Sequence, residues 1–412
     1  MQMEDPKRRD FLKKAGLAVA GSALFPGLAA GMKPEEPLLA SHEADNEQHL
    51  ASTSASPGKA SSFPAKADHG GLPSTSSRPD IDDSDILLPT PAQRSWMDLK
   101  FGMFIHFGIN TYYGLEWSDG TLDPSAFNPT DLDTDEWCRT AQRAGMKYIV
   151  LVTKHHDGFC LWPSDYTGYS VRSTPFKGDV VDELARSASK YGLKLGLYYS
   201  LWDRHEPLHD SDEYAYVGFM KNQLTELLTN YGEVVELWFD GFWRKQQSGW
   251  SLPDGTHTPP ADFVDAWRRE GAYRWQIDHL YQFVKQLQPD CLIMNNATTR
   301  YPALPLHPVD ALCGEKATEV RDFPRVWNWL GRDRYFPMQI ETTMSQKGPE
   351  GQFESGSWFW HEWDNTAASR EQVLEWLNIA SQMKANLLLN CAPGPEGRLR
   401  PIDVEVLEKV RK

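Results

Sequence analysis

The sequence predicts an α/β protein built on a parallel (β/α)8 barrel of the TIM type. Eight short apolar runs have the length and β-branched or aromatic content of strands, and stretches of helical periodicity lie between them. Several helical stretches stop at a glycine, as in Ala144-Gly145, Tyr191-Gly192 and Tyr231-Gly232, which is the residue favoured just past a helix C-terminus. Strand and helix alternating to this count imply a parallel sheet closed on itself.

The first 86 residues stand apart from that pattern. Lys7-Arg8-Arg9-Asp10-Phe11-Leu12-Lys13 precedes a short Ala- and Gly-rich apolar run, so residues 1–32 resemble a twin-arginine export signal and predict a periplasmic or extracellular location. That run is too short and weakly apolar for a stable membrane span, and none is expected in the mature chain. Residues 33–86 are Ser, Pro, Ala and charge, with too little apolar surface to offset ordering entropy, and read as a flexible linker.

Residues 87–412 hold the barrel. The strands are expected at Phe101–Gly108, Tyr148–Thr153, Leu193–Ser200, Val234–Asp240, Leu292–Asn295, Ala311–Cys313, Met338–Thr342 and Asn386–Asn390. Helices are expected at Thr134–Ala144, Val181–Tyr191, Tyr214–Tyr231, Tyr273–Leu287, Ser369–Lys384 and Asp403–Val410. The sixth strand is short, and no clear helix follows it between Arg321 and Pro337. The five cysteines have no metal-like spacing and an odd count, which suits small buried side chains better than a disulfide framework.

Catalytic groups on such a barrel come from the carboxyl ends of the strands. Here those ends deliver His106, with Glu116-Trp117 following; Lys154-His155-His156-Asp157; Tyr198-Tyr199-Ser200; Trp238-Phe239-Asp240; Glu315 and Glu319 after the sixth strand; and Glu341 within the seventh. Barrel packing calls mainly for Val, Ile and Leu, so this many ionisable and aromatic groups at one rim point to chemistry.

Two chemistries fit. Several His with an Asp suit a divalent metal in a hydrolase, although adjacent His155 and His156 would point to opposite faces if both lay on a strand. Alternatively, two carboxylates flank a glycosidic bond, aromatic rings stack on the sugar and neutral imidazoles bond its hydroxyls. A net charge of −15 disfavours nucleic acid as a partner, and 12% aromatic residues suit a sugar cleft.

Phe101-Gly-Met-Phe-Ile-His106-Phe-Gly, Lys154-His-His-Asp-Gly-Phe159 with Leu161-Trp-Pro-Ser164, Leu237-Trp-Phe-Asp240-Gly and Asn386-Leu-Leu-Leu-Asn390 together resemble the α-L-fucosidases of glycoside hydrolase family 29. The resemblance covers essentially all of residues 87–412. It implies an exo-glycosidase without cofactor or metal that removes terminal α-L-fucose from fucosylated glycans with retention, through a covalent fucosyl-enzyme. Asp240 takes the place of the family nucleophile, and Glu319, with Glu315 as runner-up, that of the acid/base. His106, Trp117, His155, His156, Tyr199 and Trp238 take those of fucose-binding residues. A fucose-binding barrel without turnover is the non-enzymatic alternative.

The chain departs from the family pattern in two places. The Arg that many members carry after the fifth strand is replaced by Asn295-Asn296-Ala297, leaving Arg300 as the nearest substitute. The C-terminal β-sandwich of many members is not expected after the last helix. Around Tyr198-Tyr-Ser-Leu-Trp202 the chain is more similar to the subgroup preferring branched α-1,3 and α-1,4 fucosides.

Overall fold

The computed structural model describes residues 86–241, 275–296, 305, 307–349 and 356–411. The expected export signal and linker lie outside the described residues, apart from Ile86. Among the described residues there are ten strands: β1 (Phe101–Ile105), β2 (Tyr148–Lys154), β3 (Lys194–Ser200), β4 (Val234–Asp240), β5 (Leu292–Asn295), β6 (Leu312–Glu315), β7 (Val326–Trp329), β8 (Arg332–Tyr335), β9 (Met338–Thr343) and β10 (Ala385–Asn390). Eight form one parallel sheet in the order β5-β4-β3-β2-β1-β10-β9-β6. At the seam between β5 and the segment entering β6, Asp310 N–H donates to Ile293 O at 2.7 Å, and Ile293 N–H donates to the Asp310 carboxylate at 3.0 Å. The result is the expected (β/α)8 barrel.

The helices follow local signals. Asp133, Asp179 and Asp212 each accept a backbone N–H at the start of Thr134–Ala144, Val180–Tyr191 and Glu213–Asn230, and Ser369 forms a capping box ahead of Arg370–Gln382. Gly145 and Gly192 close two of them in the left-handed conformation. All five cysteines are buried, and none forms a disulfide among the described residues. Among the described residues, no helix is long and apolar enough to cross a membrane.

Three expectations shift. The first strand stops at Ile105 rather than Gly108, because Gly108 already caps the short helix Ile109–Tyr113. The sixth strand covers Leu312–Glu315 rather than Ala311–Cys313, which places Glu315 at its carboxyl end, opposite Glu341 of β9. Where no helix was evident, β7 and β8 form an antiparallel hairpin. Its two turn residues, Leu330 and Gly331, have φ of 53° and 80°, the positive pair that a two-residue hairpin loop requires.

Strand alternation divides the core in two. Phe104, Tyr148, Val150, Val152, Tyr198, Trp238, Met294, Cys313 and Leu388 belong to the barrel interior, while Ile149, Leu197, Tyr199, Leu237, Phe239 and Ile340 pack in the layer shared with the helices. The interior floor is polar. Glu236, fully buried, accepts from Trp96 Nε1 of the helix Pro91–Met97 and from Gln339 Nε2 at 3.2 Å, and Gln339 also donates to Tyr148 Oη at 2.8 Å. Asn386 Nδ2 donates to Trp96 O at 2.8 Å, tying that helix to the barrel bottom.

Burial pushes the Glu236 carboxyl up to about 7, only partly offset by its donors. A carboxyl held above its unfolded value binds a proton more readily in the folded state, so stability falls as pH rises between about 4.3 and 7. The loss is about 3 kcal/mol at full ionisation. In urea unfolding followed against pH, Glu236→Gln is expected to flatten that decline and to match or exceed the parent at pH 8. Parallel curves for the two proteins would contradict this account of the floor.

Candidate active site

At the carboxyl end of the barrel a pocket is lined by Phe104, His106, Trp117, His155, His156, Tyr198, Trp238, Asp240, Asn296, Glu315, Glu341 and Trp358. Asp240 ends β4 two residues beyond Trp238 and four beyond Glu236, so all three face inward. Gly241 must follow it. A Cβ there would lie 2.7 Å from Trp202 Cβ and 2.9 Å from Ser200 Oγ, and its φ is +73°.

Three donors converge on the Asp240 carboxylate. Tyr198 Oη donates to Oδ2 at 2.7 Å, while Gly241 N–H and Asn296 Nδ2 donate to Oδ1 at 2.7 and 3.0 Å. The same Asn296 nitrogen donates to Glu315 Oε2 at 3.0 Å, so those two carboxylate oxygens lie no further apart than twice that length. Burial, reinforced by the charge of Glu315, pushes Asp240 up to about 6 against the pull of its donors. Glu341 Oε2 accepts from Gly314 N–H at 3.2 Å and Cys313 Sγ at 3.4 Å, bracing the strand that carries Glu315.

The histidines are neutral and oriented. Burial holds His106 down to about 3 and His155 and His156 well below the usual range. Asn390 Nδ2 donates to Trp358 O at 2.8 Å, so its Oδ1 accepts from His106 Nδ1 at 2.8 Å, and His106 Nε2 is left as an acceptor. Ser200 Oγ donates to Trp202 O, so His156 Nδ1 donates to Ser200 at 2.7 Å and Nε2 is again an acceptor. Two imidazole acceptors, stacked Tyr198 and Trp238 rings 5.4 Å apart, and Trp117 against His156 make a wall suited to a small polyhydroxylated ligand.

Of the residues singled out in the sequence, Asp240, His106, Trp117, His155, His156, Trp238 and Glu315 come together here. His155 and His156 both reach the pocket because β2 ends at Lys154 and strand alternation ends with it. Two residues lie elsewhere. Tyr199 is on the outer face of β3, where it donates to Gln223 of the helix Glu213–Asn230 at 2.7 Å and accepts from Lys154 at 3.0 Å, and Tyr198 takes the inward position. Glu319 is exposed and does not line the pocket, because Lys316, with φ of 55°, turns the chain out of β6 directly after Glu315.

Asn296, Tyr198 and Trp358 are additions. The inward register could have found Tyr198, since it pairs with Trp238 across β3 and β4. Asn296 is two residues beyond inward Met294. Trp358 had no local signal, being brought in by a loop held through Glu116, whose carboxylate accepts from Trp358 N–H, Phe359 N–H and His361 Nε2 at 2.9, 3.2 and 2.7 Å. Arg300 lies outside the described residues. Among the described residues, no group of three His, Cys, Asp or Glu converges in a metal-binding arrangement.

The chain is 33% identical over 336 residues to Alpha-L-fucosidase 1 of Arabidopsis thaliana, an overlap of 78% of this chain and 59% of that protein. A glycoside hydrolase 29 family member from an unknown rumen bacterium superposes with a TM-score of 0.62 at 32% identity, over 79% of this chain and 56% of the other. A putative α-L-fucosidase from Bacteroides ovatus gives 0.60 at 30% identity, over 78% and 55%. The chain thus spans less than three fifths of the length of these relatives. A family model described as Alpha-L-fucosidase matches residues 117–412, and with it the chain belongs to the α-L-fucosidase family, glycoside hydrolase family 29.

Proposed function

We propose that the protein is an exported, retaining exo-α-L-fucosidase acting on fucosylated oligosaccharides or glycoconjugates. The observation that carries the reading is the single amide nitrogen of Asn296 shared by Asp240 and Glu315 at 3.0 Å each. Retaining glycosidases hold their carboxyl groups about 5–5.5 Å apart, whereas inverting ones need about 6.5–9.5 Å to admit a water. Export rests on the sequence of residues 1–32, and a preference for branched α-1,3 and α-1,4 fucosides on the residues after Tyr198.

In this reading Asp240 Oδ2 or Oδ1 attacks the anomeric carbon as the glycosidic C–O bond breaks, and Glu315 passes its proton to the departing oxygen. Glu315 then takes a proton from water, which attacks the same carbon and releases Asp240 as carboxylate. His106 and His156, neutral with Nε2 unprotonated, accept hydrogen bonds from sugar hydroxyls, while Trp238 and Trp117 pack on the apolar edge of the ring.

Glu315→Ala is expected to slow natural fucosides about 10²- to 10⁴-fold while sparing aryl fucosides whose leaving group needs no proton. Azide should restore its rate and yield the α-fucosyl azide, because it takes the place of water and attacks from the face opposite Asp240. Glu319→Ala should stay near the parent. The reverse pattern would return the acid/base to Glu319. Because Asp240 must be ionised to attack, kcat/KM for an aryl fucoside should fall below about pH 6. Glu315→Gln removes the neighbouring charge and should move that limb to lower pH; an unmoved limb would count against Asp240 as the group it reports.

A further inference from the structure

A second depression adjoins the pocket. It is a groove of about 560 Å³ whose walls include Leu115, Trp117, Lys347, Pro349, His361 and Trp363. Trp117 lines both cavities, so the groove continues from the place where the sugar sits. Trp363 is 43% exposed, unusual for so large an apolar ring beside a cleft. His361 stacks beneath it with ring centroids 4.8 Å apart and planes at 25°. The indole is therefore fixed from one side by the imidazole while much of it stays exposed.

The polar groups of the groove are unequal. Glu116, its acidic member, has its carboxylate occupied by two backbone N–H groups and by His361 Nε2. His361 Nδ1, buried in the wall, has no hydrogen-bond partner among the described residues. Lys347 is exposed, and its ammonium lies over the Trp363 ring at 5.1 Å from the centroid, with no carboxylate within ion-pair distance among the described residues. A planar apolar platform beside a solvated cation complements a pyranose ring bearing an anion.

We propose that this groove receives the leaving portion of the substrate and selects a sugar that carries a carboxylate or a sulfate, its ring stacked on Trp363 and its anion beside Lys347. The inference rests on the fucosidase reading for the position of the scissile bond. On a chain of net charge −15 long-range attraction of an anion is weak, so the preference arises by contact.

The test uses the full chain and three matched fucosylated oligosaccharides that differ only in the sugar next to fucose: neutral, sulfated and carboxylated. The parent should show higher kcat/KM for the anionic substrates by about threefold to fivefold, as expected for an exposed charge pair. Lys347→Met should erase that ratio while leaving aryl-fucoside turnover unchanged. Trp363→Ala should lower kcat/KM for all three by about tenfold. A sulfate-only or carboxylate-only preference identifies the anion. Equal kcat/KM for all three in the parent, or a ratio that survives Lys347→Met, would overturn the proposal. Binding of the unfucosylated acidic disaccharide, followed by tryptophan fluorescence in parent and Lys347→Met, separates the two ideas. Lys347-dependent binding without any fucose release would sink the fucosidase reading and keep the groove; fucose release without such binding would do the opposite.

Discussion

The site depends on keeping one carboxyl group, Asp240, out of water at a distance where it feels a second, the half-buried Glu315. At about 6 Å and an effective dielectric near 20, two like charges repel by about 3 kcal/mol. Burial of Asp240 acts in the same direction and is the larger effect. Tyr198, Asn296 and Gly241 oppose both with three hydrogen bonds, and they do not fully cancel them. Asp240 is consequently pushed up to about 6, and the shared Asn296 bridges it to Glu315. Most of the surroundings can be read as support for that pair: Gly241 lets the strand end turn without displacing Trp202, and Glu341 braces the β6 backbone beneath Glu315.

The same economy of protons governs the sugar wall. Burial keeps the three histidines neutral, and the hydrogen bonds of His106 to Asn390 and of His156 to Ser200 select the tautomer with Nε2 unprotonated. Charged imidazoles would offer only donors and would offset the charge of Asp240 electrostatically. Glu116 adds a longer connection. It holds the loop that brings Trp358 to the pocket and His361 to the groove, so one buried carboxylate shapes both cavities.

How much was legible in the sequence follows from which signals are local. Strand period and end motifs placed Asp240, Trp238 and His106, because apolar runs and their terminal polar residues are contiguous. Tyr198 against Tyr199 is a question of which face a strand turns inward, and two adjacent tyrosines give no local answer; the pairing with Trp238 across β3 and β4 decides it. Glu315 against Glu319 turned on where a four-residue strand ends, and a left-handed Lys316 is not a residue from which a turn is read. The β7–β8 hairpin was hidden for a similar reason, since Leu330-Gly331 lacks the usual Asn-Gly or Asp-Gly. Trp358 was out of reach altogether, because its position is set by a contact between residues 242 positions apart.

The central claim is that Asp240 becomes covalently joined to the sugar while Glu315 handles the proton. Rapid acid quenching of Glu315→Ala during turnover of an aryl fucoside, followed by peptide mass mapping, tests it directly. A fucosyl ester confined to the peptide containing Asp240, and missing when Asp240→Asn is added, is the predicted result. An ester on another carboxylate, or steady turnover with no ester at any time point, would contradict the account.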